Sequence, residues 1–209
     1  MSDEFHRPTR FPGERFEAYQ GGEDPAEILR VAHDSAHALI DRGRATDDSA
    51  IVDRLVAFTD QHGVDSLAEL WARTSPTSLP GALWRIYLIR AVVRQDATGT
   101  STLFQRGTEV LGTIDAAVAG AVIPTGPAEI LALADEILRG VYRGDFGVAL
   151  DRAAAFCRVM GAGATSIADD QEVLNPERAS ELTTRALRLS TTAQELTSCG
   201  RLWRSGSLE

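Results

Sequence analysis

The stretch from Ser78 to Arg94, SLPGALWRIYLIRAVVR, constrains this chain more than any other. Placed at about 100° per residue, Leu83, Trp84, Ile86, Tyr87, Leu88, Ile89, Ala91, Val92 and Val93 cover nearly the whole circumference of a helix. A helix that is apolar on every side is expected inside a protein, not on its surface. Pro80 suits the first turn, where its missing N–H costs nothing, and Ser78 suits the cap. Gln95, Asp96 and Gly99 supply the stop. The rod would be roughly 22 Å long, too short and too rich in arginine to span a membrane. The expectation is a bundle packed around this buried central helix. Arg85, Arg90 and Arg94 interrupt the apolar surface. Either their stems pack while their heads reach water or a carboxylate, or they mark an anion site in a cleft beside the helix. On the second reading the ligand-binding candidates are Arg85, Arg90, Trp84 and Tyr87.

The rest of the chain repeats the helical period and shows no run of strict alternation. Asp24-Pro25 opens a helix with the stripe Ile28, Leu29, Ala32, Ala36, Leu39 and Ile40. Helices are expected after Asp47-Asp48, with Ile51 and Leu55 inward, and after Asp65, with Leu67, Leu70 and Trp71 inward. A long helix follows from Thr100 through Gly107 to about Val122, then one from Pro127 to Gly140 or Gly144. Asp145 caps the next, which Gly161 and Gly163 are expected to end. The following stretch to Asn175 lacks a clear period and reads as a loop. Beyond Asn175-Pro176, the residues Ala179, Leu182, Ala186, Leu189, Ala193 and Leu196 form an a/d seam suited to a single partner helix. The predicted fold class is all-α, a helical bundle of seven to eight helices. Residues 1–23 read as a flexible arm bearing Phe5, Phe11, Phe16 and Tyr19, and residues 24–163 as the helical core. Residues 164–204 read as a loop plus a long C-terminal helix, packing on the core or on a partner chain, and 205–209 as a disordered tail or vector-derived scar.

Charge narrows the partners. The 209 residues carry 21 basic against 30 acidic side chains, a net charge of −9. Nucleic acids and anionic membranes need a basic field, so neither is expected. Every basic residue is arginine, as in proteins encoded by high-GC bacterial genomes. The two cysteines, Cys157 and Cys199, make no disulfide framework or metal spacing. Met1 is not followed by an apolar signal segment, so the expected compartment is cytoplasmic.

Motifs with chemistry are sparse. His33 and His37, one helical turn apart, could share a metal. His37 falls on the polar face with Arg30, Asp34 and Asp41, and no HExxH pattern is present. Asp169, Asp170 and Glu172 lack the glycine and spacing of a calcium loop. Asp135 and Glu136 have no matching pair on another helix for a carboxylate metal site. The segment around Gly63 has the outline of a helix-turn-helix. Its second helix, however, presents Asp65 and Glu69 where phosphate contact needs positive charge. No catalytic residue, metal site or cofactor is expected.

The run Ser75–Arg85 (SPTSLPGALWR), with Arg143-Gly144-Asp145-Phe146 and Ala153–Arg158 (AAAFCR), resembles a family of all-helical actinobacterial proteins with no assigned activity. The resemblance agrees with the lysine-free composition and carries no functional residue. The function expected first is a cytoplasmic helical interaction or regulatory module, self-associating as a homodimer or binding another protein. Leu182, Leu189, Leu196 and Trp203 are the interface candidates. The alternative is a small-molecule-binding protein or enzyme with a cleft beside the central helix.

Overall fold

The computed structural model describes residues 24–44, 64–111, 126–140 and 142–209. Among these residues there are seven helices and no strand. They are α1 (Pro25–Arg44), α2 (64–71), α3 (Leu79–Gln95), α4 (Ala97–Leu111), α5 (Pro127–Leu138), α6 (Phe146–Gln171) and α7 (Pro176–Arg204). The aromatic N-terminal arm, the helix expected after Asp47-Asp48 and the continuation toward Val122 lie outside the described residues.

Caps set the boundaries where the sequence places them. Ser78 Oγ accepts the Gly81 N–H at 3.2 Å, Asp145 Oδ1 that of Val148 at 3.1 Å, and Asn175 Oδ1 that of Arg178 at 3.1 Å. Each satisfies an N–H that the first turn leaves without a helical partner. Asp96 serves two helices. It ends α3, and its carboxylate accepts the Gly99 N–H at 2.8 Å at the start of α4. One residue therefore joins α3 to α4, and α4 begins at Ala97, earlier than expected.

The glycines at 161 and 163 do not end a helix. α6 runs through both to Gln171, so the expected loop shrinks to the turn over 172–175. The reason is tertiary. A Cβ on Gly163 would lie 1.9 Å from the Leu103 carbonyl oxygen of α4, and one on Gly107 would lie 1.9 Å from that of Val159 in α6. The two helices cross backbone to backbone, and only glycine allows that approach.

α6 and α7 form a long antiparallel pair. The a/d seam of α7 is taken up here, within the chain. Leu182 and Leu196 are buried, as are Ala179, Ala186 and Ala193, while Leu189 is half-buried. Trp203 meets Phe146 edge to face, with ring centroids 5.1 Å apart. The interface candidates Leu182, Leu189, Leu196 and Trp203 thus find their apolar partners in cis, since α6 offers a complementary small-residue face. The segment over 205–209 is docked. Leu208 is 6% exposed, and the Glu209 carbonyl oxygen accepts the Leu79 N–H at 2.7 Å. It covers the N-terminus of α3, where backbone N–H groups want an acceptor.

α3 touches α1, α4, α5, α6 and α7, yet it is not buried all round. Leu79, Leu83, Ile86, Ile89 and Val93 face the core, whereas Leu88 and Val92 are 38% and 39% exposed. The helix buried on most of its surface is α6, through Ala149, Leu150, Ala153, Ala154, Phe156, Cys157, Met160 and Ala164. Its alanines and glycines read as weakly hydrophobic in sequence. Small side chains let neighbours approach closely, and close packing is what fills an interior.

Candidate functional site

α3 and α7 run antiparallel and are tied at two points. Arg85 Nε donates to Glu195 Oε2 at 2.5 Å, and Arg185 sits 3.9 Å from Asp96 across the other end. Between these ties the helices do not close on each other. Leu88, Ile89 and Val92 of α3 form one wall, and Arg188, Leu189 and Thr192 of α7 form the other. Phe156, Cys157 and Met160 of α6 lie beneath. The hollow holds about 840 Å³, and most of the surface its walls expose is apolar. Ligand sites typically fall in the range of ~300–1,000 Å³, with a few polar groups for orientation.

Polarity is graded along this groove. Toward the C-terminal end of α3 the lining turns polar, with Gln95, Asp96, Ser180, Glu181, Thr184 and Arg185. Glu181 is engaged from outside by Arg178 at 2.9 Å. Arg188 makes no ion pair with any described residue. A smaller hollow of about 400 Å³ lies beyond Cys157 on the other side, where Gly161, Ala162 and Ala186 leave room between α6 and α7.

The thiol in the groove is not a nucleophile. Burial pushes Cys157 up to about 12, and Cys199 up to about 11. Reactivity belongs to the thiolate, so both remain protonated and inert near neutral pH.

The residues singled out in sequence lie elsewhere. Arg85 is spent on Glu195 and on the Gly81 carbonyl, at 2.5 and 2.9 Å. Arg90 Nε donates to Asp135 Oδ1 at 2.5 Å, and Arg94 reaches the same carboxylate at 3.0 Å. Burial pushes the Asp135 carboxyl up, but the Arg90 hydrogen bond and the charges of Arg90 and Arg94 outweigh it and hold it below the ordinary range. Tyr87 donates to Asp65 Oδ1 at 2.8 Å and stacks on Trp84 at 5.5 Å between centroids. The bond to the Asp65 carboxylate, then burial, keeps its phenol above the usual value. These arginines bind helices together, and neither they nor Trp84 and Tyr87 line the groove.

No family model, no curated protein and no solved structure matches this chain. The groove rests on its own geometry.

The other motifs read in the sequence lie outside the groove lining. His33 is half-buried and His37 exposed on α1. No group of three or more His, Cys, Asp and Glu among the described residues is arranged to hold a metal ion. Asp170 pairs with Arg106 at 2.8 Å. Leu67 and Trp71 of α2, half of the helix-turn-helix outline, are buried in the core. No helix among the described residues is long and apolar enough to cross a membrane.

The sequence does not single out the groove residues, for a physical reason. Leu88 and Val92 belong to a helix that is apolar on every side, a pattern that implies burial. The usable signal was on α7, where Thr184, Arg188 and Thr192 recur every turn beside the apolar seam.

Proposed function

We propose that this protein binds a small, largely apolar molecule in the groove between α3, α6 and α7. The observation that supports the reading is the hollow of about 840 Å³ whose wall residues Leu88 and Val92 stay exposed beside a continuous core. Binding without chemistry suits the lining, which offers no thiolate, no histidine and no paired catalytic carboxylates. The neutral apolar dye Nile red tests it. Wild-type protein should enhance and blue-shift the dye's emission, and Val92→Glu should abolish the effect while keeping the helical spectrum and melting temperature. Absence of enhancement, or equal enhancement by the variant, would refute the reading. A ligand present at a hundred times its Kd should raise stability by about 2.7 kcal/mol.

A second reading, a helical interaction module, draws support from Val173 and Leu174. They are 90% and 82% exposed at the turn between α6 and α7. Self-association through that tip would make the mass in light scattering fall when both are changed to serine.

A further inference from the structure

The polarity gradient and the charge balance of the groove say more about the occupant. This step rests on the binding reading above. On α3 the lining spans Leu88 to Asp96, and on α7 Ser180 to Thr192. At ~1.5 Å per residue these walls run roughly 12 and 18 Å. Toward Leu88 the lining is apolar, up to Thr192 and the Arg85–Glu195 pair that closes that end one turn beyond. The other is polar. A molecule that satisfies both ends has a chain and a head.

The sign of the head follows from the pairs. Three charged side chains line the polar end, Asp96, Glu181 and Arg185, and a fourth, Arg188, lies about one turn further along α7, level with Val92 in the register set by the two ties. Arg178, which is outside the lining, neutralises Glu181 at 2.9 Å. Asp96 is spent capping α4 through the Gly99 N–H and faces Arg185 only at 3.9 Å. Arg188 is left with no ion partner among the described residues. The lining is neutral, with two acidic and two basic side chains, in a chain that is acidic as a whole at −9, and Arg188 is its cation without an acidic partner among those residues.

We infer that the groove takes a single-chain amphiphile with an anionic head, its chain along Leu88, Val92 and Phe156 and its carboxylate or equivalent anion at Arg188. A guanidinium meets such a head through two N–H donors at once.

Displacement of Nile red from the full chain, with matched amphiphiles kept below their micellar concentrations, tests this. Dodecanoate should displace the dye at about one-tenth the concentration needed for dodecanol, the scale of one charge-assisted hydrogen bond. Dodecyltrimethylammonium should be weaker than both. In Arg188→Gln the advantage of dodecanoate over dodecanol should vanish, whereas Arg139→Gln, outside the groove lining, should keep it. Equal displacement by dodecanoate and dodecanol, preference for the cation, or an advantage that survives Arg188→Gln would overturn the anionic head and leave the binding reading standing. Failure of Nile red and of every amphiphile to bind would overturn both.

Discussion

At the scale of single residues, the two tryptophans near the centre of the chain differ in role. Trp71 is fully buried, and its indole N–H donates to Ser35 Oγ at 3.1 Å. That hydroxyl donates in turn to the Ala32 carbonyl at 2.9 Å, so no polar atom in the chain of bonds is left over. Trp84 is only half-buried against Tyr87. Trp71→Ala should cost about 3–5 kcal/mol in urea unfolding, the usual range for a buried aromatic. Trp84→Ala should cost clearly less, and equal losses would contradict the burial described. Asp135 gives a pH prediction. Its carboxyl is held below the ordinary range, so it binds protons more weakly in the folded state than in the unfolded. Its contribution is complete above the unfolded value of ~3.9 and is lost as pH falls through the folded value. Asp135→Asn should lower stability at pH 7 by roughly 1.5–3 kcal/mol, the scale of hydrogen bonds to charged groups. The gap between variant and wild type should narrow on acidification below about pH 4. A constant gap from neutral pH to pH 2 would be inconsistent with this.

At the scale of elements, the crossing of α4 and α6 depends on a reciprocal pair of glycines. Gly107 receives the Val159 carbonyl and Gly163 the Leu103 carbonyl, each where a Cβ would otherwise stand. Both contacts are with backbone, which cannot rotate away as a side-chain tip can. Helix propensity alone favours alanine over glycine by about 1 kcal/mol. Gly163→Ala should nonetheless destabilise, by roughly 1–3 kcal/mol net, because the helices must separate. Thermal denaturation reads the sign directly, and a stabilised variant would mean that the crossing is looser than described. The same geometry explains why α6 runs past the glycines at which its sequence implies an end. In sequence Gly161 and Gly163 look like stop signals. A glycine at a helix crossing and a glycine at a helix end carry the same letter, and only the neighbouring helix separates them.

At the scale of the whole molecule, the chain closes on itself. Leu208 is buried, and the Glu209 carbonyl accepts from Leu79 at the head of α3, so residues from opposite parts of the chain share one joint. Leu208→Ala should lower the urea midpoint by an amount equivalent to about 2 kcal/mol, the low end for a buried leucine. A change under ~0.5 kcal/mol, the size of an ordinary surface substitution, would show that the tail is not docked in solution. Closure also bears on assembly. With Leu182 and Leu196 already covered by α6, a second copy must use another surface, such as the turn bearing Val173 and Leu174.

Local rules read from the sequence yield the all-helical class, the caps at Ser78, Asp145 and Asn175, the seam of α7, and the stripe of α1 except at Leu29, which stays 43% exposed. Each depends on residues within a few positions of one another. Capping is a bond from a side chain to an N–H three residues on, and an inward stripe is a repeat of 3.6. What covers a stripe is not local. The seam of α7 could serve another chain or its own, and the presence of α6 alongside settles that it packs in cis. The apolar circumference of α3 could be core throughout or partly groove wall. That depended on whether α7 lay against Leu88 and Val92 or stood off, held by charged pairs at Arg85–Glu195 and Arg185–Asp96. Those pairs join residues about a hundred positions apart in sequence, beyond the reach of any periodicity. Hydrophobic pattern specifies which surfaces avoid water. The distances between helix axes decide whether another helix covers them or they are left open as the wall of a groove.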